Sequence, residues 1–259
     1  MKIGIISDIH EDVVRLSEAI RLLEQNNCDE LVCLGDITGF DVLYYRYLST
    51  RSASRALAII RENCQYVVAG NHDLYAIRKL PNCNGAFTFP PNWYALDYDE
   101  RERLSNKKVW LFEQQELPSL LNTNEREYLH SLPDHVIFEV GQKRILFSHS
   151  LYPDLSGSLM WRPHNVWDFR RHLQFIKDQG CSLGFSGHLH PSGIAKATQN
   201  DFSFNSFGAF KIENDFVQYV CPCTANSASK NGFLIVDTDD LTLKVVQLKS
   251  KKYKIDYFS

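Results

Sequence analysis

Nothing in this 259-residue chain approaches the roughly 20 consecutive apolar residues that a membrane helix requires, so no membrane partner is expected. The opening MKIGIISDIH loses its apolar run at Asp8 and carries no small-residue cleavage signal, so it reads as a strand and not as a secretory leader. An excess of one charge is missing too. Lys and Arg total 28 against 31 Asp and Glu, a formal charge of −3, which excludes a protein devoted to coating nucleic acid or an anionic bilayer. Internal repeats and low-complexity tracts are absent. With 12% aromatic residues, 13 Gly and 9 Pro, the chain is neither disordered nor fibrous. The seven cysteines, at positions 28, 33, 64, 83, 181, 221 and 223, are scattered and odd in number, unlike the disulfide framework of a small secreted domain. A reduced, cytoplasmic protein without stable nucleic-acid binding is expected, and nothing in the pattern fixes an oligomeric state.

What is present is an alternation of short β-branched runs with amphipathic segments. Lys2 to Ser7, Leu31 to Leu34 and Tyr66 to Ala69 read as strands, separated by helices over Glu11 to Asn26 and Arg51 to Asn63. Strand, helix, strand, helix, strand argues for parallel pairing with helices covering a sheet. Pro81, Asn84–Gly85 and Pro90–Pro91 punctuate the next stretch, with helical character expected over Trp93 to Glu116 and Asn124 to Leu132. Asn124 followed by Glu127 suggests a capping box. Residues 81–134 are therefore read as a helical insertion in one domain over 1–259. From Val136 the chain turns to strands: 136–140 and 143–147 as a hairpin about Gly141–Gln142, then 183–186, 194–197, 216–220, 233–236 and 241–248, with one helix near 166–178. The expected fold is α/β, a four-layer αββα sandwich of two mixed β-sheets flanked by helices.

The side chains able to do chemistry fall where strands end. Asp8 and His10 follow the first strand, Asp36 the second, and Asn71, His72 and Asp73 the third. His149 lies just past the 143–147 strand, and His188 and His190 follow 183–186. Ligands of open α/β sheets collect at the carboxyl ends of strands, and five of the nine histidines sit there. Residues two apart in extended chain point the same way, with α-carbons about 6–7 Å apart. Asp8 and His10 can thus address one metal, while His188 and His190 can straddle two ions about 3.5–4 Å apart. A bridging group is then needed, and Asp36 is the candidate. Imidazole, carboxylate and amide oxygen without thiolate favour two divalent or trivalent transition-metal ions such as Mn, Fe or Zn.

The ordered set SDIH, GD, GNHD, SH and GHLH resembles the calcineurin-like metallophosphoesterase superfamily, and within it the small bacterial and archaeal phosphoesterase branch. The resemblance implies a fold and a site spanning nearly the whole chain, with two metals that cleave phosphate esters. Matching motif to motif, it implies one metal on Asp8, His10, Asp36 and His190 and another on Asp36, Asn71, His149 and His188, with His72 as the catalytic histidine. The protein-phosphatase branch follows its GD motif with Asp-Arg-Gly, whereas Ile37, Thr38, Gly39 and Phe40 stand here. Ser150 replaces a common glycine. A Gly-Ser-rich loop is replaced by Cys221 to Ser227, a departure that bears on substrate preference and not on metal binding.

The expected reaction is metal-dependent hydrolysis of a phosphate ester of a small substrate, a phosphodiester or nucleotide. A metal-bridging hydroxide attacks phosphorus in line, and His72 as general acid gives a proton to the departing oxygen. Asp73 is placed in sequence to orient or charge-stabilise His72. Without a nucleophilic side chain, no phosphoenzyme is expected. Alternatives are a phosphatase of phosphoproteins or dinucleoside polyphosphates, or a non-catalytic scaffold that kept the fold for partner binding. The complete ligand set and His72 count against the scaffold. Elsewhere, Trp161, Arg162, His164 and Trp167 read as a packed aromatic turn in preference to a substrate wall, and Arg170 and Arg171 as a solvated helix face. His130, His135 and His172 read as surface or capping residues, Cys221 and Cys223 as small buried side chains, and the lysines from Lys249 to Lys254 as a solvated strand end.

Overall fold

In the computed structural model, residues 1–213 and 216–255 are described; residues 214–215 and 256–259, within the expected domain, lie outside them. The chain begins with β1 (Lys2–Ile6), α1 (Val13–Gln25), β2 (Glu30–Cys33), β3 (Phe40–Asp41), α2 (Ala53–Asn63) and β4 (Tyr66–Val67). Next come α3 (Asn71–Ala76), α4 (Tyr98–Ser105), β5 (Glu116–Leu117) and α5 (Thr123–Ser131). The rest comprises β6 (His135–Val140), β7 (Lys143–Ser148), α6 (Arg170–Asp178), β8 (Leu183–Ser186), β9 (Ile194–Ala197), β10 (Phe202–Asn205), β11 (Gly208–Lys211), β12 (Val217–Val220), β13 (Gly232–Asp237) and β14 (Thr242–Gln247).

Alternation along the strands sets the layers. Ile3 and Ile5 face the space between two six-stranded sheets, together with Phe147, Phe185 and Leu234, while Ile6 turns to the opposite side with Leu16, Leu57 and Leu129 of the covering helices. Leu146 and Val220 turn outward from the second sheet onto Leu173 and Ile176 of α6. The result is helix, sheet, sheet, helix. The first sheet runs β11-β14-β13-β1-β2-β4 and the second β10-β9-β12-β8-β7-β6. Both are mixed: β1, β2 and β4 are parallel, as are β7, β8 and β12, while β11, β13 and β14 in the first sheet and β6, β9 and β10 in the second pair antiparallel. Parallel pairing places the carboxyl ends of β1, β2 and β4 along one edge and those of β7 and β8 along one edge of the other sheet. Gly4 allows α1 to close onto β1, since a Cβ there would lie 2.6 Å from both Leu23 and Leu31.

Several local expectations are corrected. Helix does not run over 93–116: a short 3-10 turn at Trp93–Ala95 and α4 are followed by Asn106 and Lys107 with positive φ, which end the helix, and irregular chain leads into β5. Thus β5 pairs with β3 in a two-stranded ribbon, Phe40 opposite Leu117 and Asp41 opposite Glu116. The capping box opens α5 two residues early, with Asn122 and Glu125 exchanging bonds, because half-buried Leu121 packs on the core just before the cap. Edge strands β10 and β11 are additional; their exposed, mixed-polarity sequences carry little periodic signal.

Candidate metal centre

The chain reverses sharply after each ligand-bearing strand. Asp8, His10, Asp36, His188 and His190 all have positive φ, between 45° and 67°. For side chains with a Cβ this region costs about 1 kcal/mol or more per residue, and such residues gather at functional sites. Two glycines make the approach possible. A Cβ on Gly70 would lie 2.1 Å from Asp36 Oδ1, and one on Gly187 would lie 2.5 Å from Asp8 Oδ2.

All seven expected ligands converge. One group, Asp8, His10 and His190, and another, Asp36, His149 and His188, each place their donor atoms within 4.8 Å of one another. His190 Nε2 lies 2.9 Å from Asp8 Oδ1 and 3.4 Å from His10 Nε2. His149 Nε2 lies 3.1 Å from Asp36 Oδ2 and 3.2 Å from Asn71 Oδ1. Asp36 Oδ2 is also 3.9 Å from His10 Nε2, so this carboxylate stands between the groups. His10 Nδ1 donates to the Gly39 carbonyl at 2.9 Å and His149 Nδ1 to the Leu34 carbonyl at 2.6 Å. Because carbonyl oxygens only accept, these bonds turn the Nε2 lone pairs inward, the arrangement of second-sphere partners around a metal-binding imidazole.

Inward-turned imidazole nitrogens, carboxylates and an amide oxygen form a cluster of acceptors that needs positive charge at its centre, and this donor set fits transition-metal cations. Burial holds His10 and His188 down to about 3, hence neutral and in ligand form. Burial alone would raise Asp36, but His149 and its neighbours keep the carboxyl well below the usual carboxylate range. Burial likewise opposes protonation of His149, yet Asp36 carries it to about 9. The field between the carboxylates is therefore strong enough to hold positive charge inside the protein.

His72 lines the same cavity, of about 260 Å³, but its partner is not Asp73. The Asp73 oxygens accept from the backbone of Ile37, Thr38 and Gly70 and from the Thr38 hydroxyl, tying the Asp36 turn to the start of α3. His72 Nδ1 instead meets Glu116 Oε2 at 2.5 Å. Burial lowers His72, but Glu116 and Asp36 more than offset this and raise it to about 10. Glu116 escaped sequence reasoning because it lies 44 residues away in the insertion and reaches His72 through the β3–β5 ribbon.

Arg162 also lines the cavity, beside Trp110, Phe112, Tyr45 and Ser227. Its side chain has no ion-pair partner among the described residues. The turn expected to be packed is therefore opened out, with Arg162 at the cavity and Trp161 and Trp167 exposed. His172 differs from expectation as well. It is fully buried, with Nδ1 accepting from Tyr152 N–H and Nε2 donating to Gln218. The Cys221 to Ser227 loop braces Asp8: Ala225 N–H and the Cys223 thiol both donate to the Asp8 carbonyl, each at 3.1 Å.

Comparison with known proteins places these features. The calcineurin-like phosphoesterase superfamily domain matches residues 1–239. An uncharacterized protein of Methanocaldococcus jannaschii is 22% identical over 260 residues, covering 95% of this chain and 87% of that protein. A solved metallophosphoesterase from Sphaerobacter thermophilus superposes with a TM-score of 0.63 at 18% identity, covering 97% of this chain and 89% of its own. A hypothetical protein from Pyrococcus horikoshii superposes at 0.58 with 13% identity and the same coverages. Both structures share the fold.

Proposed function

The chain belongs to the calcineurin-like phosphoesterase superfamily, and from that premise we propose that it hydrolyses a small phosphodiester or nucleotide with two transition-metal ions. The observation that carries this reading is the pair of donor groups joined through Asp36 beneath a cavity that also presents His72 and Arg162. In this reading one ion is held by Asp8, His10, Asp36 and His190 and the other by Asp36, Asn71, His149 and His188. Bound there, the two ions would lower the pKa of water from about 15.7 toward roughly 7 and neutralise phosphoryl oxygens. Arg162 supplies charge-assisted hydrogen bonds to a non-bridging oxygen. His72 donates a proton to the departing alkoxide, and Glu116 is its positioning residue. Asp73 acts at one remove, holding the Asp36 turn against Gly70.

A cavity of about 260 Å³, walled by Tyr45, Trp110 and Phe112, suits a compact substrate with an apolar or aromatic group beside its phosphate, and disfavours a folded phosphoprotein. Seven unpaired thiols suit a reducing compartment and support a cytoplasmic location. Among the described residues no helix is long and apolar enough to cross a membrane. Turnover of a chromogenic bis-ester and mono-ester, each with Mn²⁺ and with chelator, tests the proposal. Metal-dependent hydrolysis with faster turnover of the bis-ester is expected. Activity indifferent to chelation would overturn it, and metal binding without turnover would favour the scaffold.

A further inference from the structure

A second and larger cavity, of about 500 Å³, lies on the other side of a short ribbon, distinct from β3–β5, in which 108–110 runs beside 158–160. The ribbon is built by Trp110 N–H donating to Ser158 O at 2.9 Å and Met160 N–H to Lys108 O at 2.8 Å, with Val109 opposite Leu159. Trp110, Phe112 and Arg162 face the metal cavity, while Lys107, Lys108 and Trp161 face the second one. The two cavities share no lining residue.

The lining combines two features rarely left bare together. Met160, Trp161 and Trp167 are exposed large apolar side chains at this one place, with Trp167 59% exposed. Arg170 lies over the Trp167 ring, 3.5 Å from its centroid. Lys107, Lys108 and Arg171 supply three cations, and among the described residues none of the three charged groups has an ion-pair or hydrogen-bond partner. These three cations outnumber the two lining carboxylates, which are held by hydrogen bonds of their own and form no ion pair with them. Asp154 accepts from Ser156, Gly157 and Leu159, and Asp168 Oδ2 accepts from the backbone of His164 and Asn165. In a chain whose net charge is −3, the cavity carries a local excess of positive charge beside two exposed indoles, Trp161 and Trp167, the latter with Arg170 over its ring.

We propose that this cavity is a binding site for a nucleoside monophosphate, taking the base on Trp161 and Trp167 and the phosphate on Lys107, Lys108 and Arg171. Indole faces stack on any base, and Lys and Arg recognise the phosphate dianion. The site is distinct from the metal centre but backs onto it. Ser150 follows His149, and a Cβ on Gly157, in the cavity floor, would lie 2.6 Å from His188 Nδ1.

The test is calorimetric titration of AMP, adenosine and inorganic phosphate into the full chain in the presence of chelator, with tryptophan fluorescence followed in parallel. One AMP per chain is expected, with quenching, while adenosine and phosphate alone bind far more weakly. Trp167→Ala and Lys108→Ala, both at exposed positions, should each weaken AMP by about tenfold or more. With chelator present throughout, Asp36→Asn, in the metal site, should leave AMP affinity unchanged. Absence of AMP binding, affinity indifferent to both surface substitutions, or loss of binding in Asp36→Asn would overturn the proposal.

Discussion

A carboxylate 2.5 Å from His72 Nδ1 decides which ring nitrogen is left to serve the substrate. Nδ1 is committed to Glu116, so in the proposed reaction Nε2 is the atom left to hand over a proton. Glu116→Gln keeps a hydrogen-bond acceptor but removes the charge that raises His72. A general acid contributes roughly 10²–10⁴-fold, and it matters only when the leaving oxygen is a poor one. For Glu116→Gln, kcat on alkyl phosphodiesters is expected to fall by about 10–100-fold with KM little changed. Nitrophenyl esters, whose anion leaves unaided, should lose far less. Equal losses on both substrates would mean that Glu116 merely supports the wall.

His172 makes a contrasting case at the same scale. It is a buried, neutral histidine with both nitrogens bonded, and burial lowers its pKa from 6.5 to about 4. Between those values the unfolded chain binds a proton that the native chain refuses, so stability rises with pH across this window. The contribution is complete above pH 6.5 and is lost on acidification toward pH 4, roughly 3 kcal/mol in all. Urea unfolding in chelator at pH 7, 6 and 5 should show a shallower pH slope for His172→Gln than for the parent chain, although the variant is less stable throughout. Parallel slopes would contradict the burial argument.

At the scale of elements, the helix caps test how the insertion docks. Asn122 accepts from Glu125 N–H at 3.0 Å while Glu125 returns a bond to Asn122 N–H at 2.8 Å. Asn122→Ala should cost about 1 kcal/mol of unfolding free energy, and Asn124→Ala much less. Denaturant melts of the two variants separate them. The sequence reading took the Asn124–Glu127 frame; the fold uses Asn122–Glu125, set by burial of Leu121, and burial is a tertiary fact. The same division runs through the whole fold. Strands β1, β2, β7, β8 and β13 were legible because both their faces are apolar, and the ligands were legible because they follow those strands directly. Edge strands β10 and β11, the two-residue ribbon and the Glu116 contact were not, since each is decided by what packs opposite. Arg162 sat in view beside two tryptophans, but only the path of the 108–110/158–160 pairing shows which cavity each of them faces.

The whole molecule is two sheets whose shared edge carries the candidate metal site. Asp8, His10, Asp36 and Asn71 come from the first sheet's strands, and His149, His188 and His190 from the second's. Cations held between them would therefore join the two halves, not decorate one. Any ligand that binds only the folded chain stabilises it, by about 2.7 kcal/mol at a hundred times its Kd. For a chain of this size that corresponds to a rise in Tm of roughly 5–10 °C. Calorimetric scans with saturating Mn²⁺ against chelator should show such a rise. In Asp36→Asn the carboxylate between the groups loses its charge, and most of the rise should vanish even though the sheets and their core are untouched. A rise that survives the substitution would place the stabilising ion elsewhere, and no rise at all would count against the proposed cations at the two donor groups.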